Sequence, residues 1–239
     1  MKRILFSILL CCFAFVASAQ DSSQVERIRA AMRNQSRTEV KTIHSNILNA
    51  DRQYTIFLPT GYETNTDRSY PVLYLLHGMN GTHEDWAGRG HLKDVMDQLR
   101  AAGEVVDMIV VMPNAGGNIN ENVWNGYFNM DGWAYERFFY EEFLPTIEKE
   151  YRIKGDKANR AIAGLSMGGG HTTAVTGLYP DLFDYICPLS CGMRDTEEAV
   201  AALQGIKKAG YKLYWVGCGN ADFAYPGTQV MDEMLTRLD

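Results

Sequence analysis

The stretch RAIAGLSMGGG at residues 160–170 decides the fold. Its first half is short and apolar, as a buried strand is, and its second half runs through small residues into a helical pattern. Between the two halves, Gly164-Leu165-Ser166-Met167-Gly168 matches the pattern G-x-S-x-G. A strand that turns sharply into a helix needs minimal side chains two residues before and after the serine. The stretch therefore predicts a strained turn that lifts the Ser166 hydroxyl above a sheet, with a glycine-rich helix start as the alternative.

A serine raised in this way is a candidate nucleophile for acyl transfer. The Met167 amide lies at the helix N-terminus, where it can donate to the oxyanion that forms when Ser166 attacks an acyl carbon. A second donor is expected from the loop after the third strand, where LLHGMNG stands at residues 75–81. There Gly78 permits a sharp turn and the Met79 amide is the candidate donor. His77 ends a buried strand, which favours a structural anchor over a catalytic base.

The candidate acid is Asp222, in the segment GCGNADF at residues 217–223. A carboxylate on a loop after a core strand is well placed to orient a histidine. Its position after the serine agrees with the chain order serine, acid, histidine of one class of hydrolases. The alternative is an aspartate that only stabilises a turn.

Outside this stretch, apolar runs alternate with helical patterns. Residues 39–47 and 53–58 alternate apolar and polar, as half-buried antiparallel strands do. Residues 71–76 and 108–112 are continuous apolar runs, typical of parallel strands buried on both faces. Two later strands are predicted at residues 185–189, where Pro188 weakens the pattern, and at residues 211–217. Helices are predicted at residues 92–102, 135–151, 168–178, 197–208 and 229–238.

The second of these helices carries one apolar stripe. It consists of Tyr140, Leu144, Ile147 and Tyr151, with a kink expected at Pro145. The whole pattern predicts an α/β fold: a mostly parallel twisted sheet with helices on both faces.

The first nineteen residues are predicted to be a signal peptide. Lys2 and Arg3 form a basic start, residues 4–16 an apolar run, and residues 17–19 (Ala-Ser-Ala) a small-residue cleavage site. We therefore expect a secreted or periplasmic protein. Residues 20–37 are a polar lead-in with a weak helical pattern, and residues 38–239 form the single α/β domain.

The charge and the cysteine content of the chain argue against some classes of binding partner. The chain of 239 residues has a formal net charge of −6, and removal of the two basic residues of the predicted signal peptide brings it to −8. An acidic balance without basic clusters argues against nucleic acid or an anionic membrane as partner. The cysteines that remain form no metal-binding pattern, and we expect no cofactor and no metal. A bridge between Cys191 and Cys218 is conceivable, with buried free thiols as the favoured alternative.

Aromatic side chains mark the expected substrate side. Residues 114–134 form a Gly/Asn-rich loop after a core strand, and such loops line the ligand crevice of open α/β sheets. Aromatic faces among amide side chains suit stacking on a sugar or an aryl group, or they pack the loop onto the domain. The candidates are Trp124, Tyr127 and Trp133. Trp86 either walls the acyl pocket or belongs to the core.

Several blocks together resemble the Putative esterase family, which includes feruloyl and acetylxylan esterases, S-formylglutathione hydrolases, siderophore esterases and mycolyltransferases. The blocks are YPVLYLLHGMNGTHEDW, MIVVMPN, FLPTIEKEYRIK, NRAIAGLSMGGG and YWVGCGNADF. The resemblance runs from about residue 38 onward and is greatest to the feruloyl-esterase branch. It implies an α/β-hydrolase fold with Ser166 as nucleophile, Asp222 as acid, and the Met79 and Met167 amides as oxyanion hole.

One departure from the family pattern concerns the catalytic histidine, which the family places after a further helix and strand beyond the acid. None of the residues after Asp222 is a histidine. His171 lies in the helix that leads away from Ser166. We therefore expect a fragment that lacks its last strand, its last helix and its catalytic histidine, and that is inactive as it stands.

The expected function is that of an exported serine esterase acting on small-molecule or oligosaccharide esters of decorated polysaccharide. Two alternatives stay open: an inactive hydrolase-fold domain that binds carbohydrate, and a siderophore esterase or acyltransferase of the same fold.

Overall fold

A computed structural model describes residues 23–32, 34–114 and 134–238. The predicted signal peptide and most of the aromatic loop, with Trp124, Tyr127 and Trp133, lie outside these residues. The polar lead-in contains a helix at residues 23–32, named α1, whose Val25, Ile28 and Met32 are exposed. Among the described helices, none is long and apolar enough to cross a membrane.

Seven strands form one sheet. They are β1 (Arg37–Ser45), β2 (Ala50–Leu58), β3 (Val72–Leu76), β4 (Ile109–Pro113), β5 (Arg160–Leu165), β6 (Tyr185–Leu189) and β7 (Leu213–Tyr214), in the order β1-β2-β4-β3-β5-β6-β7. β1 and β2 are antiparallel to their neighbours, whereas β4, β3, β5, β6 and β7 are parallel to one another. The predicted α/β fold with a mostly parallel sheet is confirmed.

Helices connect the parallel strands. They are α2 (Asp85–Gly88), α3 (Leu92–Ala102), α4 (residues 134–150), α5 (Met167–Leu178), α6 (Glu197–Ala209) and α7 (Tyr225–Leu238). The central strands are apolar throughout because both faces are covered: every residue of β4 is buried. On one face Phe57, Leu75 and Val110 pack with Leu92 and Met96 of α3. On the other, a larger core contains Tyr74 and Val111 together with residues of α4, α5, α6 and α7.

The apolar stripe predicted for α4 is wrong at its start. Tyr140 is 41% exposed, while Phe139 and Phe143 are buried. The reason is a π-helical turn at Phe139–Phe143, just before Pro145, which adds one residue to the turn and shifts the buried face. Pro145 has no N–H for the carbonyl four residues earlier, so the disruption expected at this proline takes the form of the wider turn.

The predicted strand at residues 211–217 is shorter than expected, since β7 spans only Leu213–Tyr214. Pairing with β6 nevertheless continues: Trp215 N–H donates to Ile186, Gly217 N–H donates to Pro188, and Ser190 N–H donates to Gly217 at 2.7 Å. The donor missing from this series is the N–H of residue 188, which proline lacks. Pro188 thus interrupts the regular ladder on the β7 side, although it stays within β6 and pairs with Gly164 of β5.

Candidate active site

Ser166 stands alone between β5, which ends at Leu165, and α5, which begins at Met167. Its φ is 54° and its ψ is −111°, a conformation that a residue with a side chain rarely adopts. Such strain costs on the order of 1–3 kcal/mol and persists only where the surroundings enforce it. The backbone of Ser166 is held on both sides, since its N–H donates to Leu189 at 2.8 Å and its carbonyl accepts from Gly170 at 3.0 Å. The turn predicted from the sequence is the turn that forms.

The glycines on either side allow this turn because backbone fills the space that side chains would need. A Cβ on Gly164 would lie 2.2 Å from the Gly168 oxygen. A Cβ on Gly168 would lie 2.6 Å from the His77 oxygen and 2.7 Å from the Leu76 oxygen. The start of α5 is therefore pressed against the end of β3, and any larger residue would separate them.

The same packing brings the loop after β3 to Ser166. Leu76, the last residue of β3, pairs in register with Gly164. A Cβ added to Gly78 would lie 3.4 Å from the Leu165 oxygen and 3.7 Å from Ser166 Cβ. Gly78 and Met79 consequently lie beside the turn, and the Met79 side chain is 48% exposed.

The Met167 amide is the first N–H of α5. The first N–H groups of a helix have no partner within it and carry the positive end of the helix dipole. The Met167 side chain is buried, which fixes the start of the helix below the serine. One candidate oxyanion donor thus follows Gly78 on the loop after β3, which adjoins Ser166, and the other is the first residue of α5.

Trp86 is tied to the core. Its indole N–H donates to the Leu76 carbonyl at 3.1 Å, and its ring packs on the cluster around Leu75 and Met96. Of the two roles considered for this side chain, the contacts favour the core.

Asp222 lies in the loop after β7, partly buried. The extension of β7 reaches Leu189 through a bridge at Gly217, and Leu189 in turn accepts from Ser166. The loop therefore leaves the sheet at the same edge as the serine. Within the loop, Asp222 Oδ1 accepts from Ala224 N–H at 2.9 Å, which is a local turn contact.

All five histidines lie in the described residues, and their described hydrogen bonds lead away from Ser166 and Asp222. His77 contacts the Gly78 carbonyl and Asn114, His83 contacts Thr55 Oγ1, and His44 contacts Asp51. His171 Nδ1 lies 2.6 Å from Glu136 Oε1. His91 begins α3 in a left-handed conformation.

The sequence did not predict the buried pair that His171 forms with Glu136. Both side chains are 1% exposed, and the imidazole lies against the Tyr135 ring with 4.4 Å between ring centroids. The pair joins the first turn of α4 to α5, one turn after Ser166. A glutamate beside aromatic residues at a helix start gives no periodic signal, so its burial could not be read from the pattern.

The three cysteines of the described residues carry free thiols. Cys187, Cys191 and Cys218 are free thiols, and burial raises the pKa of Cys191 to about 11. The bridge considered between Cys191 and Cys218 is absent from the structure. Within residues 23–32, 34–114 and 134–238, no group of three or more His, Cys, Asp or Glu residues could hold a metal ion.

The family model described as Putative esterase matches residues 45–210, from the end of β1 to the end of α6. The chain belongs to this family. A ferulic acid esterase of known structure is 41% identical, with a TM-score of 0.72 over 85% of this chain and 87% of its own. Family membership and the α/β-hydrolase fold are thereby confirmed.

Two further relatives show the range of the likeness. The endo-1,4-beta-xylanase/feruloyl esterase of Xylanibacter ruminicola is 36% identical over 170 residues, which are 70% of this chain and 22% of that protein. The chain thus spans about a fifth of the length of this curated relative. The S-formylglutathione hydrolase of Staphylococcus aureus is 19% identical with a TM-score of 0.67 over 85% of this chain and 87% of its own, and shares the fold.

Proposed function

We propose that the protein is a serine carboxylic-ester hydrolase of the feruloyl or acetylxylan esterase type, acting on esters that decorate polysaccharide. The observation that carries the proposal is the backbone of Ser166, held at φ 54° between β5 and α5. Strain of this kind is maintained at a cost, and it serves to project the hydroxyl from the edge of the sheet where ligands bind.

In the proposed reaction Ser166 Oγ attacks the ester carbonyl carbon. The N–H groups of Met79 and Met167 stabilise the negative oxygen of the tetrahedral intermediate, which expels the alcohol and leaves an acyl-serine. Water then attacks the acyl-serine and releases the acid. These two amides are proposed because Met167 directly follows Ser166, and Met79 follows Gly78, the residue of the β3 loop that approaches Ser166.

The proton from Ser166 needs a base. We propose that this base is a histidine outside the 239 residues, held by Asp222, because none of the hydrogen bonds described for the five histidines involves Ser166 or Asp222. Asp222 is supported by its place after β7 and by its order in the chain, after the nucleophile.

The substrate class rests on the relatives, two of which are described as feruloyl or ferulic acid esterases. We propose that an aryl or sugar group contacts Trp124, Tyr127 and Trp133, which the sequence predicts to lie on a loop after β4. We propose export as well, from the basic, apolar and small-residue segments of residues 1–19. Neither nucleic acid nor a membrane surface is proposed as partner, given the acidic charge.

The test is hydrolysis of methyl ferulate and p-nitrophenyl acetate by the full-length gene product and by its Ser166→Ala variant. Ser69→Ala, an exposed serine before β3, is the matched control. We expect the Ser166 variant to lose about a thousandfold or more in kcat and the control to match the wild type. Equal rates in all three proteins would refute the nucleophile. Hydrolysis of the acetate alone would refute the feruloyl assignment, and binding of xylo-oligosaccharides without any hydrolysis would support the carbohydrate-binding alternative.

A further inference from the structure

The carbonyl of Gly78 is held from two directions. His77 Nδ1 lies 2.7 Å from it, and Gly81 N–H donates to it at 3.1 Å. The second bond closes a four-residue turn from Gly78 to Gly81, in which Asn80 has a φ of 61°. A positive φ at the third position, with none at the second, is the geometry of a type II turn. Two donors on one oxygen leave the Gly78–Met79 peptide little freedom to rotate.

The orientation of this peptide fixes the Met79 N–H. A trans peptide is planar, with its C=O and N–H pointing in opposite directions, and the described residues contain no cis peptide. With the Gly78 oxygen turned toward His77 and Gly81, the Met79 N–H must point the other way. In the described part of the chain, the turn uses the N–H of Gly81 and not that of Met79.

Ser166 adjoins the same peptide. Gly78 is the residue that approaches Leu165 and Ser166, at the distances given above for an added Cβ. His77 is 1% exposed, and its ring contacts the Gly78 carbonyl. The imidazole and Ser166 thus both lie next to the Gly78–Met79 peptide.

The protonation state of His77 follows from its surroundings. Burial lowers the pKa of the ring, so it is neutral at pH 7 and carries a single proton. A carbonyl oxygen can only accept, so the proton must reside on Nδ1. Nε2 then accepts. It lies 3.1 Å from Asn114 Oδ1, and a 180° turn of this side-chain amide, which exchanges its oxygen and nitrogen, brings the NH2 group into position to donate to Nε2.

We propose that His77 is a positioning residue, whose Nδ1–H holds the Gly78 carbonyl and thereby aims the Met79 N–H at the oxyanion formed on Ser166. The inference rests on the proposed function in that it takes the Met79 N–H as an oxyanion donor. It assigns His77 neither proton transfer nor contact with substrate.

Two isosteric variants separate the ring nitrogens. In His77→Asn the side-chain amide NH2 can occupy the position of Nδ1, and in His77→Gln it can occupy that of Nε2. We measure the acylation burst with p-nitrophenyl acetate, using intact full-length protein and recording kcat and KM separately. The expected result is that the Asn variant stays within about threefold of wild type, whereas the Gln variant loses about a hundredfold in kcat at unchanged KM, as for removal of one oxyanion donor.

Equal losses in both variants, or no loss in the Gln variant, would overturn the inference. Thermal unfolding of each variant shows that the comparison is made on folded protein. A wild type without Ser166-dependent acylation would refute the proposed function instead.

The tautomer of His77 can be measured without any activity. In a long-range nitrogen–proton NMR spectrum at pH 7.5, we expect a neutral ring protonated at Nδ1, and the Gln variant should lack these signals. A ring protonated at Nε2, or at both nitrogens, would contradict the inference whatever the kinetics show.

Discussion

The surroundings of Ser166 and the loop that carries Asp222 differ in what fixes them. Around Ser166, backbone atoms pack closely against Gly164 and Gly168. A Cβ added to either glycine would lie only 2.2–2.7 Å from a backbone oxygen. Around Asp222, a Cβ on Gly219 would meet nothing nearer than 3.9 Å, and Phe223 is 89% exposed. Ser166 is therefore placed by backbone packing, whereas the Asp222 carboxylate is placed by a local turn. The proposal of Ser166 as nucleophile therefore rests on geometry, while the proposal of Asp222 as acid rests on chain order and family resemblance.

The largest effect on stability is expected from His171→Leu. The change leaves the Glu136 carboxylate buried without its short hydrogen bond, beside the helix that presents Ser166. Removing one partner of a buried pair costs about 4 kcal/mol of unfolding free energy. Urea denaturation measures the loss. Arg237→Leu, which breaks an exposed pair with Asp195 on α7, is the control and should cost about 1 kcal/mol or less. Comparable losses in the two variants would show that the buried pair of His171 and Glu136 contributes no more to stability than an exposed pair.

The next largest loss of unfolding free energy, about 3 kcal/mol, is expected from Gly168→Ala. The added methyl group meets the carbonyls of Leu76 and His77, so the backbone must shift. The same substitution at Gly219 has open space and should change the unfolding free energy by less than about 0.5 kcal/mol. Both values come from the same denaturation experiment. If Gly168→Ala proved as stable as Gly219→Ala, the close packing of α5 on β3 would be refuted.

The smallest effect on stability is expected from Asp222→Asn. An asparagine oxygen can still accept from Ala224 N–H, so the unfolding free energy should change by less than about 0.5 kcal/mol. In the full-length gene product, kcat for ester hydrolysis should nevertheless fall by about a thousandfold or more, because the neutral amide no longer stabilises the histidine in its charged form. Unchanged kcat would show that Asp222 serves the turn alone.

The elements that the sequence predicts well are those with a strong local cause. The turn at Ser166 follows from two glycines and an apolar strand, and β3 and β4 follow from continuous apolar runs. The shift of the buried face to Phe139 and Phe143 could not be predicted, since a π-helical turn breaks the helical period from which the stripe was read.

Features that depend on contacts between distant residues could not be predicted from the sequence. Glu136 and His171 are 35 positions apart, and only the packing of α4 on α5 brings them together. The Trp86 indole is turned into the core by the Leu76 carbonyl, a contact that no spacing reveals. β7 is short because the N–H that Pro188 lacks would have pointed toward β7. Only the order of the strands shows that the missing donor faces β7 and not β5.

The most direct test of the central claim is covalent labelling of the full-length gene product with a fluorophosphonate, followed by peptide mass spectrometry. Ser190 provides an internal comparison, because it also has a positive φ at the end of a neighbouring strand but precedes no helix directly. The account predicts a single adduct on Ser166 that disappears in Ser166→Ala. An adduct on Ser190 or another residue, or labelling that persists in the variant, would contradict it.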